Sequence, residues 1–304
     1  MKKTQKILWI DKVTKKLISG VFILYALCTV LEAKTSMWKV EGNDGYVTYL
    51  GGTCHVLRKS DYPLPVEYDQ AYARVEHVIL EADLERAKDP AMQNMLLTKG
   101  MYMDGTTIDK ILNEEAYQAL EAYCQSAKIP MATFSVMKIP LILLAISDIE
   151  MQKLGIKESG VDMYFQNQAK KDGKKLEGLE TIEEQMDFLI NIGKGNESEM
   201  VLATLQDLNE TSSVMGDLLK AWRAGDDKKL EELISNKMKK RFPKVYETLL
   251  ISRNKNWQPR IEELIKTPEP ELVLVGAAHL VGQDGILHQL EKNGFKVSRF
   301  EATP

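Results

Sequence analysis

With 304 residues, 44 % hydrophobic and 28 % charged side chains, the chain has the composition of a soluble globular protein and the length to bury a full core. A net charge of −4 excludes a nucleic-acid binder, which needs a basic face. The lysines alternate with acids on helical stretches and read as solvated surface.

The first 33 residues read as a targeting segment. Lys2, Lys3, Lys6, Lys12, Lys15 and Lys16 precede an uncharged run from Leu17 to Leu31. That run is short for a bilayer span, which takes roughly 20 apolar residues, and its basic flank fits a signal-peptide core. Ala26-Leu-Cys28 and Ala33 are candidate cleavage positions; the alternative is an uncleaved anchor, the only membrane contact expected. Either way the folded part, 34–304, is expected to be exported, periplasmic or cell-envelope associated. Cys28 belongs to this segment, and Cys54 and Cys124 make no disulfide framework.

Trp38-Lys-Val40 and Tyr46-Val-Thr-Tyr-Leu50 flank a Gly/Asn/Asp turn, which predicts a β-hairpin. Asp61-Tyr-Pro-Leu-Pro65 predicts a rigid loop, Val66 to Val75 a helix, and His77 to Asp83 a buried strand. Asp89 to Lys128 is helical in pattern, with Ile108, Ile111, Leu112, Ala116, Leu120 and Tyr123 at helical spacing. Pro130 to Val136 suggests a short strand, and Leu141 to Ile149 a core helix too short to cross a bilayer. Gly160-Val-Asp-Met-Tyr-Phe165 opens a further helix, and Lys170 to Gly178 reads as a charged connection. Thr181 to Lys266 is helix after helix, broken at Gly193-Lys-Gly195, Gly225-Asp226 and Phe242-Pro243. Glu271-Leu-Val-Leu-Val-Gly276 is a strand buried on both faces. A helix over Gly285 to Asn293 and a strand over Phe295 to Phe300 end the chain, with Asp284-Gly285 expected to cap the helix. The fold class is therefore α/β, a mixed sheet built from both chain ends around a large helical middle section.

Two of the four histidines, His55 and His279, follow a glycine by three positions, and both stand at the mouth of a strand. Open α/β sheets carry chemistry there, outside the carboxyl ends of the strands. Two neutral imidazoles suit a divalent transition cation. Glu81 ends an otherwise apolar strand, where a buried carboxylate needs a partner. It is either a third ligand or a general base that activates water, with Asp83 a weaker substitute. His77 and His288 read as surface residues. Cys54, out of phase with His55, reads as a small buried hydrophobe. Arg253-Asn254 with Trp257 reads, from the residues alone, as a surface or core-rim feature.

These stretches together resemble the TraB/GumN family, which includes the Tiki metalloproteases. The opening match is Trp38-Lys-Val40, Tyr49-Leu-Gly-Gly-Thr-Cys-His55, Asp61-Tyr-Pro-Leu-Pro65 and Val78-Ile-Leu-Glu-Ala-Asp83. The closing match is Leu274-Val-Gly-Ala-Ala-His-Leu-Val-Gly-Gln-Asp-Gly285. Gly160-Val-Asp162, Leu179-Glu-Thr181 with Gln185, and Ser252-Arg-Asn254 with Trp257 fall between them in the family's order. The resemblance implies the fold of erythromycin-esterase-like (EreA) and ChaN-like haem-binding proteins. It implies an active centre of His55, His279 and Glu81, which supports metal-dependent proteolysis in the Tiki branch, with Arg253 reaching the site to hold a substrate carboxylate or oxyanion; the cation expected is Mn, Co or Zn. Cys54 stands where the family usually has an aliphatic residue, and Val281 where many members have proline. The function expected is a metal-dependent hydrolase of peptide or small-molecule substrates. A non-catalytic peptide- or haem-binding protein on the same scaffold is the alternative.

Overall fold

The computed structural model describes residues 35–303. The expected signal core, its cleavage positions and Cys28 lie outside the described residues.

Among the described residues eight strands occur in chain order: β1 Met37–Glu41, β2 Val47–Thr53, β3 Val56–Arg58, β4 His77–Leu80, β5 Ile156–Ser159, β6 Lys175–Gly178, β7 Glu271–Gly276 and β8 Lys296–Arg299. Six form one sheet in the order β6-β4-β7-β2-β1-β8, and β3 pairs with β5 in a separate ribbon. The β6, β4, β7 and β2 strands run parallel; β1 is antiparallel to both β2 and β8. The sheet is thus mixed and drawn from both chain ends, with a helical middle.

All six residues of β7 are buried. A strand between two parallel neighbours shows neither face to water, which is why its sequence lacks alternation. Its register aligns Thr53 of β2 with Gly276, and Leu80 of β4 with Leu274. The carboxyl ends of β4, β7 and β2 therefore open side by side, with β7 in the centre.

The main apolar core surrounds this sheet. A second core lies within the helical middle, where Leu120 of the Glu114–Ala127 helix and Ile142 and Ile146 of the Ile139–Lys153 helix are fully buried. This accounts for the apolar run at Leu141 to Ile149. Among the described residues no helix is long and apolar enough to cross a membrane.

Several elements differ from expectation. The segment expected as a strand over Pro130 to Val136 forms a 3₁₀ turn, Met131–Phe134, and the only pairing nearby is an isolated bridge from Met101 to Met137. Its apolar residues serve the second core rather than a sheet. Part of the charged connection after Lys170 is the edge strand β6, whose Lys175 and Glu177 are tolerated because an edge leaves side chains in water. The short β3 and β5 carry no readable pattern. Asp284 does not cap the last helix: its N-cap is Gly285, and the Asp284 carboxylate instead accepts from Lys239 Nζ and Tyr246 Oη.

Candidate active site

Each of the three central strands delivers one group to the common edge. The β2 strand ends at Thr53, two residues before His55, and β4 ends at Leu80, so Glu81 is the first residue beyond it. After β7 the chain turns at Gly276 into a short helix, Ala277–Leu280, that carries His279 inward.

Gly276 shows how closely these groups converge. A Cβ built on it would lie 3.2 Å from Glu81 Oε1, 3.4 Å from His55 Nε2 and 3.6 Å from His279 Cδ2. Its backbone angles, φ −49° and ψ 133°, are open to any residue, so glycine is required here for space and not for conformation. The absent side chain leaves a hollow walled by two imidazoles and a carboxylate.

Glu81 is buried and fully bonded. Its Oε1 accepts from Gly276 N at 2.7 Å, and its Oε2 accepts from Arg253 Nη2 at 2.7 Å and from Gln185 Nε2 at 3.3 Å. Burial works to raise its pKa, but the positive potential of His279, His55 and Arg253, with the Gly276 N–H, overrides it and brings the value to about 2. His279 is itself neutral near pH 7, so His55, Arg253 and Gly276 carry that stabilisation there.

His279 is buried with its tautomer fixed. Asn254 Nδ2 donates to the carbonyls of His279 and Asp284 at 3.2 and 2.9 Å, so its Oδ1 faces His279 Nδ1 at 2.7 Å and must accept from it. The Nε2 lone pair is therefore free to accept, and it faces Arg253 Nη1 at 3.2 Å and Glu81 Oε1 at 3.9 Å. Burial, with Arg253 alongside, pushes the His279 pKa down to about 3.

His55 is held differently. Its Nδ1 lies 2.9 Å from Asp162 Oδ2, and Asp162 Oδ1 accepts from Thr53 Oγ1 at 2.7 Å. The Asp162 carboxylate raises the His55 pKa. Because 64 % of the His55 side chain is open to solvent, water screens much of that attraction.

Arg253 ties the site to a second carboxylate, Glu180. Arg253 Nε and Nη2 donate to the two Glu180 oxygens at 3.1 and 2.6 Å, and Trp257 Nε1 adds a bond of 3.2 Å to Glu180. The guanidinium lies over the Trp257 ring, which also packs on His279 with ring centroids 4.6 Å apart. Of the five guanidinium N–H groups, four are engaged by Glu180, Glu81 and His279, and one on Nη1 has no partner among the described residues.

The structure thus gathers His55, Glu81, His279 and Arg253 into one centre. Asp83 is not part of it: its carboxylate caps the Leu84–Lys88 turn and accepts from Gln166 Nε2. His77 sits at the start of β4 beside Glu177, and Cys54 packs in the core. Arg253, Asn254 and Trp257 are not a surface or rim feature, since all are buried, at 5 %, 5 % and 1 % exposure.

A divalent cation suits this donor set in type and in charge. Glu81, Asp162 and Glu180 bring three carboxylates against one guanidinium and the His55 imidazolium that Asp162 favours, so one negative charge stays uncompensated, and two once His55 gives up its proton. The hollow above Gly276 is lined by Glu81 Oε1, His55 Nε2 and the Cδ2 edge of the His279 ring. Among the described residues no group of three acidic, His or Cys side chains stands in a ready coordination arrangement. Arg253 Nη1 lies 3.2 Å from His279 Nε2, a contact that a cation there would have to replace.

Asp162, Asn254 and Glu180 were not identified as site residues from sequence. Arg253 stands four and eight residues before Trp257 and Ile261, and Asp162 three and seven before Phe165 and Ala169, so both continue the buried stripe of their helices. A charged residue in phase with an apolar face was the available signal. A π-helical turn, Glu247–Ser252, directly precedes Arg253, a feature frequent at functional sites.

The profile of the TraB/PrgY/gumN family matches residues 36–299. The chain is 23 % identical over 245 residues to the "Uncharacterized protein YbaP" of Shigella flexneri, covering 80 % of this chain and 87 % of that protein. It is 23 % identical over 244 residues to the YbaP of Escherichia coli (strain K12), with the same coverage. No solved structure matches the chain. The profile spans every strand described above, including both histidine-bearing ends, and the chain belongs to the TraB/PrgY/gumN family.

Proposed function

We propose that the centre is that of a metal-dependent hydrolase acting on peptide bonds, with Mn, Co or Zn held by His55, His279 and Glu81. One observation supports the reading: Glu81 Oε1, His55 Nε2 and the His279 ring edge at Cδ2, from three adjacent strand ends, lie 3.2, 3.4 and 3.6 Å from a single point above Gly276.

When bound, the cation supplies Lewis-acid polarisation of a carbonyl and acidifies a water molecule. The chain's own groups do the rest. His279, neutral across the physiological range, offers its Nε2 lone pair without a proton to lose. Glu81 supplies an ionised oxygen whose orientation is fixed by Gly276 N and Arg253. His55 is the solvent-facing imidazole; with Nδ1–H directed to Asp162 it would present its Nε2 lone pair at the mouth of the site. Arg253, fixed by Glu180 and Trp257, keeps one N–H on Nη1 to donate to a carbonyl oxygen as charge develops there. The basic and then apolar N-terminal pattern supports action outside the cytoplasm.

The test is elemental analysis of the purified full chain, together with cleavage of a peptide library with and without chelator. Stoichiometric transition metal is expected, with chelator-sensitive cleavage that is lost in Glu81→Gln and His279→Ala. A chain that holds no such metal, cleaves no peptide and still binds peptides or haem in both variants would be a binder, and the hydrolase reading would be wrong.

A further inference from the structure

The two imidazoles are backed by chemically different partners. His279 Nδ1 donates to a neutral amide, Asn254, and the ring is also packed by Trp257 and met by Arg253. His55 lies mostly in solvent, and among the described residues Asp162 is the one side chain that hydrogen bonds to it. The His55 ring has two torsions, and among the described residues no other side-chain hydrogen bond keeps its Nε2 over Gly276.

Asp162 is built for that task. It is 5 % exposed, and its second oxygen is locked by Thr53, which lies two residues before His55 on the same strand end. The helix that carries it, Val161–Asp172, starts hard against the His55 loop: Val161 N donates to Cys54 O at 3.0 Å. That approach needs Gly160, because a Cβ there would collide with the backbone of Cys54 and His55. A carboxylate that accepts from Nδ1–H leaves the lone pair on Nε2 and strengthens it as a donor.

We propose that Asp162 is the positioning residue that aims His55 Nε2 into the hollow above Gly276, so that cation affinity depends on a carboxylate that never touches the cation. This rests on the cation-dependent reading above. It makes the two histidines unequal: His279 is set by packing and an amide, whereas His55 is set by one buried charge.

The test is titration of the metal-free full chain with Co²⁺ alone, followed by calorimetry and by the visible absorption of the ion, which reports its ligands. The chains compared are wild type, His55→Ala, Asp162→Asn, Asp162→Ala and Gln166→Ala. Asp162→Asn keeps the shape and the Thr53 contact and is expected to weaken Co²⁺ binding about 10- to 100-fold, with a changed absorption band. Gln166 is fully buried one turn along the same helix, where it contacts Asp83 and not His55. Its truncation disturbs the helix and is expected to leave affinity and spectrum unchanged. If wild type binds Co²⁺, His55→Ala does not, and both Asp162 variants stay within about twofold of wild type, the proposal is overturned while the cation reading stands. An equal loss in Gln166→Ala overturns it too, since helix integrity would then be the cause. Absence of Co²⁺ binding by wild type overturns both. Should Asp162→Ala fail to fold, the isosteric Asp162→Asn decides.

Discussion

Arg253 Nη2 donates to Glu81 Oε2 at 2.7 Å, and each side chain is 6 % exposed. Neither charge would be tolerated there alone, and Glu180 completes the arrangement by taking the guanidinium's Nε and Nη2 edge. Arg253→Ala strands two buried carboxylates and is expected to lower stability by about 3–5 kcal/mol. Arg253→Lys keeps the charge and loses the paired bonds to Glu180, so it should fall between wild type and alanine. Urea unfolding of the metal-free chains checks this. A cost for Arg253→Ala within about 1 kcal/mol, the range of an exposed pair, would show that the cluster is not buried as described.

Gly276→Ala separates space from stability. The backbone angles at this residue suit alanine. The added methyl would meet Glu81 Oε1 at 3.2 Å and His55 Nε2 at 3.4 Å, inside the hollow. The variant is expected to unfold within a few degrees of wild type, about 1 kcal/mol or less in stability, and to lose Co²⁺ binding. A variant that binds Co²⁺ as wild type does would show that the ion sits elsewhere.

What could be read in the sequence divides along physical lines. The β7 strand and the two Gly-x-x-His stretches were legible because burial on both faces removes alternation, and because glycine ahead of a histidine at a strand end marks a close approach. The breaks at Gly225-Asp226 and Phe242-Pro243 were legible because glycine and proline end helices through their own backbone. The edge strand β6 was hidden, since its charged residues satisfy an edge and resemble a loop. Asp162 and Arg253 were hidden as site residues for a related reason. Their burial is permitted only by partners more than seventy positions away, His55 and Thr53 for one, Glu81 and Glu180 for the other. No local window contains that compensation. The family resemblance carried Arg253 to the site; the residue's own surroundings in sequence did not.

The His279 ring sets an acid limit on the metal-free protein. Its pKa is pushed down to about 3 in the fold, against 6.5 without that environment. Between those values the unfolded chain binds a proton that the folded chain refuses. This contribution to stability is therefore fully present above pH 6.5 and is lost as pH falls, by up to about 1.4 kcal/mol per unit. His55 adds no slope in this window: its pKa is raised, so its contribution is complete below 6.5 and declines only as pH rises. Glu81, lowered from 4.5 to about 2, adds a further loss only below 4.5. Urea unfolding with chelator present, from pH 6.5 down to 4.5, should show wild-type stability falling with acid and a shallower fall in His279→Gln. Parallel slopes in the two chains would mean that His279 takes up its proton freely in the folded state.

Two glycine-to-alanine substitutions with opposite expected signs test the packing of the His55 loop. At Gly160 a methyl would collide with the Cys54 and His55 backbone, and backbone cannot step aside as a side-chain tip can. Gly160→Ala should therefore destabilise by about 1–3 kcal/mol, the range for overpacking, and should push Asp162 off His55. At Gly216, inside the Thr211–Ala224 helix, a built Cβ meets nothing within 4 Å. Gly216→Ala should stabilise by about 0.5–1 kcal/mol through helix propensity alone. The urea midpoints of the two variants should move in opposite directions from wild type. Only Gly160→Ala should lose Co²⁺ affinity, because only that helix start bears on the imidazole. A Gly160→Ala chain with unchanged midpoint and affinity would show that the Val161–Asp172 helix does not press on the loop, and Asp162 would then have no fixed hold on His55.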